Sequence, residues 1–476
     1  MRRFALLLAA ISASAMAAPN PVSQPTRLDP AWQAKTRAFF EQAIELPTVA
    51  GRGQMQKMAA LVADQLKAGG FPEADMRYIP HDGVPGDNTG AFVFRWRAER
   101  PTKKPMLILG HLDVVEAKRE DWKQDPFEFI ERDGYFYGRG TADMKSGIVA
   151  TTLSLVKLKQ SGFKPNRDII LFFTGDEETK MNGALFGSTK WRELIDAEFA
   201  LNADGGGAAY DREGRPLGFS LGAAEKVYQT YFWTVRNRGG HSSRPRPDNA
   251  IYELADALKK LQAHRFEPRL NPTTRAYFAE RQKDEKGALG AAIRSWLANE
   301  KDGAAADAIE ASELEVGTTR TRCVATMLQG GHADNALAQS AMATVNCRML
   351  PGTQPTTVQA ELQRIAGPNV EIVPDPGFIG QPTPVLPLRD DVTAAVTKAV
   401  RALHGPSMRV IPTMSTGTSD ASFFRAVGIP VYGADGTFGI SPDDERAHGL
   451  DERIPVRAIY DDVLHWEMIV RELAGK

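Results

Sequence analysis

PMLILGHLDVV, residues 105–115, is the stretch from which the rest of the chain can be read. The run Met106 to Leu109 is apolar without the alternation of a half-exposed strand, which predicts a strand buried on both faces. It runs directly into His111 and Asp113. Outward from it the same grammar repeats. AFVFRW (91–96) precedes it; DIILFFTG (168–175) and AEFALNADGG (197–206) follow; MQKMAALVADQLKAGG (55–70) and MKSGIVATTLSLVKLKQSG (144–162) carry apolar residues at helical spacing. A glycine pair closes the first of these helices as a C-cap does. Short apolar runs alternating with helices predict an α/β fold, a mixed and mostly parallel sheet flanked by helices.

Near Leu221 the pattern changes. VYQTYFWTV (227–235) alternates as a half-buried strand, NAIYELADALKKL (249–261) is an amphipathic helix, CVATML (323–328) and AMATVNCRML (341–350) are strands, TTVQAELQRIA (356–366) is a helix and VEIV (370–373) a last strand. The order β-α-β-β-α-β is the ferredoxin-like α+β motif. A charged, Ala-rich stretch between Gln262 and Arg322 is expected to be a helical insertion within it. From Pro384 the first grammar returns, ending in the long helix of IPVRAIYDDVLHWEMIVRELAG (454–475). The expected division is 1–18 as a signal peptide, 19–221 and 384–476 as two parts of one α/β domain, and 222–383 as an inserted domain.

At 476 residues, 42% hydrophobic and 25% charged, the chain is neither disordered nor fibrous. Its 58 Lys+Arg balance 59 Asp+Glu, so no basic field exists to hold nucleic acid or an anionic membrane. Two cysteines, Cys323 and Cys347, are too few for a disulfide scaffold or a Cys-rich metal site, and the sequence leaves both a single disulfide and two free thiols open. Any metal must be held by His and carboxylates. MRRFALLLAAISASAMA (1–17) has Arg2 and Arg3 before an apolar run and a small-x-small site at its end, the form of a secretory signal peptide. The run is shorter than the ~20 residues that span a bilayer. Export to the periplasm or outside is expected, with no membrane partner after signal removal.

Acidic residues and histidines cluster just after the apolar strands. His111 and Asp113 follow PMLILG, Asp176, Glu177 and Glu178 follow IILFFTG, Asp204 follows FALNA, and Asp143 stands before a helix. The carboxyl ends of strands in an open α/β sheet form one crevice, so these side chains converge. So many acids repel unless cations sit among them, and a pair of divalent metals answers that need. Asp113 lies two residues after His111 and so faces the same side, where it can orient the imidazole.

In order, GHLDVV, GRGTADMKSG, GDEE, NADGGG, RGGHSSRP, GTSDASFF and RAHGLDE resemble the motifs of the dinuclear zinc peptidases and amidohydrolases, which include glutamate carboxypeptidases, aminoacylases, acetylornithine deacetylase, succinyl-diaminopimelate desuccinylase and carboxypeptidase S. The resemblance spans nearly all of the chain beyond the signal peptide. The insertion is most similar to the carboxypeptidase S and N-fatty-acyl-amino-acid hydrolase branch. It implies a zinc-peptidase catalytic domain interrupted by a ferredoxin-like lid and dimerisation domain, and a homodimer through the latter. It further implies two Zn2+ per chain, with Co2+ or Mn2+ able to replace them: His111 and Asp204 on one, Glu178 and His448 on the other, Asp143 bridging. Glu177 is then the general base and proton donor, and His241 an oxyanion donor that sits on the inserted domain and, by the resemblance, can be supplied across a dimer interface. The alternative for His241 is a cap on the helix near Asn249.

Arg348 and Asn335 match positions that bind the substrate's carboxylate or backbone, although Ala338 stands where many relatives have proline. Thr418, Ser419 and Asp420 match a loop near the substrate, and a helix N-cap explains Ser419 or Asp420 equally well. His81, His264, His332, His404 and His465 lie outside the motifs and read as surface or packing residues. The expected activity is hydrolysis, by water activated on two metals, of an amide next to a free carboxylate in small peptides, of carboxypeptidase or dipeptidase type. The alternative is an N-acyl-amino-acid amidohydrolase. A non-catalytic peptide- or zinc-binding protein is a third class, in which Glu177 has little reason to be present.

Overall fold

In the computed structural model, which describes residues 20–81, 89–377 and 380–475, twelve strands build the two larger sheets. They are β1 (Met76–Pro80), β2 (Gly90–Trp96), β3 (Met106–His111), β4 (Ile169–Thr174), β5 (Phe199–Tyr210), β6 (Pro216–Glu225), β7 (Val227–Arg236), β8 (Arg322–Gly330), β9 (Ser340–Met349), β10 (Val370–Pro374), β11 (Val410–Ser415) and β12 (Val431–Ile440). The expected signal peptide lies outside the described residues. Among those described, no helix is long and apolar enough to cross a membrane.

The main sheet has the order β1-β2-β4-β3-β5-β12-β6-β11. β3 is parallel to β4 and β5, β12 to β5, and β11 to β6, whereas β2 is antiparallel to both β1 and β4. Because side chains alternate across a strand, each central strand feeds two cores. Met106 and Ile108 enter one, with helices Pro30–Ile44, Met55–Ala68, Lys145–Gln160, Asp390–His404 and Val456–Ala474. Leu107 and Leu109 enter the other, under the shorter helices Asn182–Ser188, Arg192–Ile195 and Ala421–Ala426. That is why β3 carries no polar residue before its end. The helix Lys145–Gln160 is buried nearly all round, because Val456–Ala474 packs over it.

The second sheet, β8-β9-β7-β10, is antiparallel throughout. Helices Ala250–Ala263 and Pro355–Ala366 pack on it around Tyr231, Trp233, Leu254, Val345 and Leu362, completing the ferredoxin-like arrangement. The Ala-rich stretch before β8 is helical, Pro272–Arg281, Gly287–Ala298 and Gly303–Glu310, with a small core of Phe278, Ile293, Trp296 and Ile309. The chain passes between sheets at Lys226. Residues 222–225 still belong to β6, a continuation hidden in the sequence because Gly222, Ala223 and Ala224 carry almost no apolar signal. Cys323 and Cys347 face each other across β8 and β9 and are joined as a disulfide, which answers the question their spacing left open.

Two of the histidines read as packing residues lie in the helical layer, His465 fully buried and His404 half-buried. Burial first, then the nearby Arg457 charge, holds the His404 imidazole down to about 4, and burial with the His404 charge holds His465 down to about 3. An unfolded histidine protonates near ~6.5. Between those values the unfolded chain binds protons that the fold refuses, so the pair withdraws stability as pH falls from about 6.5 toward 4. Urea midpoints are expected to fall across this window and to fall less steeply in a His404→Gln/His465→Gln double variant. Buried acids such as Asp462, which burial holds above the carboxylate range, act with the opposite sign but are common to both proteins. Parallel curves for the two proteins would refute the assignment.

Candidate metal centre

Parallel pairing brings the carboxyl ends of the central strands level. His111 at the end of β3 lies opposite Thr174 at the end of β4, and Leu109 opposite Asn202 of β5. Glu177 and Glu178 therefore start from the same edge as His111 and Asp204. Asp143 reaches this edge from the loop before helix Lys145–Gln160, and His448 from the loop before the last helix. His111 Nε2 lies 3.2 Å from Asp143 Oδ1 and 3.7 Å from Asp204 Oδ1. His448 Nε2 lies 3.1 Å from Asp143 Oδ2 and 3.0 Å from Glu178 Oε1. Asp143 thus turns one oxygen toward each histidine. Ligand atoms of His111, Asp143 and Glu178 all lie within 4.8 Å of one another.

The second nitrogen of His111 is held from behind. Its Nδ1 is 3.0 Å from the Asp113 carbonyl oxygen and 3.5 Å from the Asp113 carboxylate, which directs Nε2 into the cluster. The same carboxylate accepts the backbone N–H of Glu177 at 3.3 Å and of Glu178 at 3.0 Å. Asp113 therefore ties β3 to the GDEE turn as well as orienting the imidazole. Asp176 stands apart, accepting the amides of Asn182 and Gly183 at 2.8 and 3.0 Å at the start of a helix.

The electrostatics follow from crowding and burial. Burial pushes Asp143 up, but hydrogen bonds from His111 and His448 outweigh it and hold the carboxylate below its ordinary range. Hydrogen bonds to Asp143 and Glu178 raise His448 to about 10. Burial raises Asp204 to about 6 and Glu177 well above the usual carboxylate range, with neighbouring acids adding to the shift.

A cavity of about 790 Å3 opens over the cluster. Asp143, Glu177, Glu178, Asp204 and His448 line its floor, and Ser419 stands in its wall, where its hydroxyl donates to Glu225 Oε1 at 2.7 Å. Asp420 accepts the Thr174 hydroxyl and makes no side-chain cap on the helix that follows. The helical insertion closes one side with Thr274, Tyr277, Leu314 and Thr318. Arg348 stacks on Tyr228 at 4.5 Å and donates to the carbonyl of cavity-lining Thr416 at 3.3 Å.

His241 and Asn335 are neighbours of each other, not of the cavity. His241 is exposed on a two-residue strand paired with Ala336, and the Asn335 carbonyl accepts the Ser242 amide at 3.0 Å. The capping alternative for His241 fails: Asn249 itself caps that helix, and His241 Nδ1 takes the amide and hydroxyl of Ser243. Sequence reasoning passed over Glu225, Arg425 and Tyr277 in the cavity wall, and Arg139, Lys145 and Glu452 beneath it. Only Arg139, Lys145 and Glu452 lay inside quoted motifs, as charged residues without a role.

The sequence profile of peptidase family M20/M25/M40 matches residues 107–472, from β3 to the last helix. The chain belongs to this family. It is accordingly a metal-dependent hydrolase of amide bonds. It is 29% identical over 436 residues to the N-fatty-acyl-amino acid synthase/hydrolase PM20D1 of Xenopus tropicalis, covering 88% of this chain and 81% of that protein. Against the probable carboxypeptidase S-like 2 of Dictyostelium discoideum it is 27% identical, over 77% of this chain and 71% of that one. The fold matches the M20 metallo-carboxypeptidase Sso-CP2 of Sulfolobus solfataricus with a TM-score of 0.68 at 19% identity, covering 92% of this chain and 98% of that one. Human carnosine dipeptidase 1 matches with a TM-score of 0.60 at 16% identity, covering 94% and 97%.

Asp113→Ala is expected to weaken divalent-metal binding by roughly 10–100-fold, because the imidazole loses its rear support and the amides of Glu177 and Glu178 lose their acceptor. Equilibrium dialysis against Zn2+ measures it, and wild-type affinity in the variant would remove the role.

Proposed function

We propose that this chain is an exported two-zinc carboxypeptidase or dipeptidase that hydrolyses the amide next to a free carboxylate in small peptides. One observation carries the reading. Asp143 shares its two oxygens between His111 and His448, and each histidine has a further carboxylate beside it, Asp204 or Glu178. Two half-sites joined by a common carboxylate offer each of two divalent cations three protein donors, and His/carboxylate donors suit Zn2+, with Co2+ or Mn2+ as substitutes. His111 and Asp204 would hold one ion, His448 and Glu178 the other, and Asp143 both. Such a pair, when bound, lowers the pKa of water toward ~7 and polarises an amide carbonyl.

The remaining work falls to side chains. Glu177 sits in the cavity floor with a carboxyl that burial makes avid for protons. It takes the proton of the attacking water and returns it to the leaving amine. Arg348 grips the substrate carboxylate with its planar fork and Ser419 contacts the rest of the substrate, while Asn335, which sits beside His241 and not in the cavity of its own chain, reaches the substrate only with His241 from a second copy.

His241 donates to the oxyanion from a second copy of the chain, since within one copy it is exposed away from the cavity. The second sheet offers the surface for that copy. β8 is its edge strand, with Val324 59% and Leu328 66% exposed, beside exposed Ile251 and Tyr252 on the neighbouring helix. An apolar unpaired edge of this kind is a template for association.

The second reading, N-acyl-amino-acid amidohydrolysis, draws on the N-fatty-acyl-amino acid relatives and on Met181, Tyr277, Leu314 and Met414 in the cavity wall. Asn202, Glu225, Thr416 and Ser419 share that wall and interrupt its apolar surface, which favours a peptide. A panel of free dipeptides, N-blocked dipeptides and long-chain N-acyl amino acids, with released amine quantified, tests the choice. Turnover confined to long acyl chains would overturn the peptide assignment.

Glu177→Ala is expected to keep both metals while losing roughly 10²–10⁴ in kcat. His241→Ala should lose ~10²–10³, as removal of an oxyanion donor does. Mixing these two inactive proteins under conditions of subunit exchange should restore activity, because one site of the hybrid then holds both residues. No recovery in a demonstrated hybrid dimer would argue against donation between copies.

A further inference from the structure

Glu452 takes no part in the chemistry above, yet it is fully buried directly beneath it. Its Oε1 accepts the amides of Ala142 at 2.7 Å and Asp143 at 3.0 Å. Its Oε2 accepts the Gly140 amide at 3.2 Å and the Arg139 guanidinium at 2.6 Å. All four donors belong to the segment that ends in Asp143. Glu452 itself closes the loop that carries His448. Arg139 returns the connection, donating to the Gly449 carbonyl at 3.1 Å while its guanidinium stacks on Trp122.

One carboxylate and one guanidinium thus lace together two loops some three hundred residues apart in the chain. Those loops are the ones that meet at the 3.1 Å contact of Asp143 with His448. The second loop needs such restraint: His448 and Asp451 both have left-handed backbone, with φ of 60° and 50°, a conformation that non-glycine residues keep only where their surroundings enforce it. Bulk stability does not account for the arrangement, since a buried ion pair is commonly replaced by apolar packing at no loss. Converging backbone amides do account for it, because only an acceptor with two oxygens satisfies them all.

We propose that Glu452, with Arg139, is a positioning residue that sets the spacing between the Asp143 carboxylate and the His448 imidazole and so governs occupancy of the metal pair. The proposal rests on the two-metal reading above. Glu452→Gln keeps the volume but replaces one acceptor oxygen with a donor that faces other donors. Metal-free wild type and variant are compared by thermal midpoint, by Co2+ binding stoichiometry and affinity, and by the visible spectrum of the cobalt-loaded protein.

The expected result is a metal-free midpoint within a few degrees of wild type, a weaker-bound Co2+ whose Kd rises roughly 10–100-fold, and altered cobalt bands. A folded variant with wild-type Kd values and spectrum overturns the proposal, as does a fallen midpoint with unchanged affinity, which would leave Glu452 a role in the fold alone. If Glu452→Gln does not fold, Arg139→Lys takes its place: it keeps the charge but cannot span Glu452 and Gly449 together, and unchanged Co2+ affinity there overturns the proposal equally. Wild type binding fewer than two Co2+ instead sinks the two-metal reading, and this inference with it.

Discussion

Crowding of carboxylates at one sheet edge is the constraint on which the rest of this structure depends. Asp113, Asp143, Glu177, Glu178 and Asp204 gather where the ends of β3, β4 and β5 come level, and acids so close repel unless each is compensated. The fold compensates them in kind. Asp113 receives two backbone amides, Asp143 faces two imidazoles, and Asp204 faces one. What compensation leaves over is a set of donors turned inward toward a common space, the chemistry that a divalent metal takes.

The rest of the catalytic domain serves to keep that edge level. Parallel strands buried on both faces cannot slip without moving every side chain into the wrong core, so the two helical layers fix register as well as supply burial. The second domain adds what the edge lacks. Its helical insertion walls the cavity with Tyr277 and Leu314, and its strand β9 delivers Arg348 to the rim through Thr416. A pocket built from three separate stretches of chain can change its substrate by altering one stretch while the metal floor stays constant.

Legibility in the sequence followed the range of the physics. Buried strands, helices and the β-α-β-β-α-β order were readable because periodicity is local, and the convergence of the candidate metal donors because each stands at the end of a readable strand or inside a dense motif. The end of β6 was not, since glycine and alanine carry no periodic signal at residues 222–225. The disulfide was not, because it depends on which residues of β8 and β9 face each other. Glu452 and Arg139 were visible as letters inside RAHGLDE and GRGTADMKSG, but their meaning lies in hydrogen bonds between segments far apart in the chain. The position of His241, away from the cavity of its own chain, is likewise not written in the residues around it; only the resemblance implied a donor supplied across a dimer interface.

Lys145 extends the argument from positions to balance. Its ammonium is wholly buried at the head of its helix and donates to the carbonyls of Ala43 at 2.8 Å and Leu46 at 2.6 Å, which anchors the loop of Asp143 to the end of helix Pro30–Ile44. Burial lowers it to about 7, while Glu452 and Asp113 draw it back toward the charged form. With Arg139 it makes two buried cationic groups under a loop whose upper face carries acids. The cations below cancel these carboxylates only in part and charges elsewhere in the chain do the rest, which is how a net charge of -1 conceals a site built almost wholly from charge. The cancellation is also structural: the cations hold the loop from beneath by hydrogen bonds to carbonyls, leaving the Asp143 oxygens free to face the cavity.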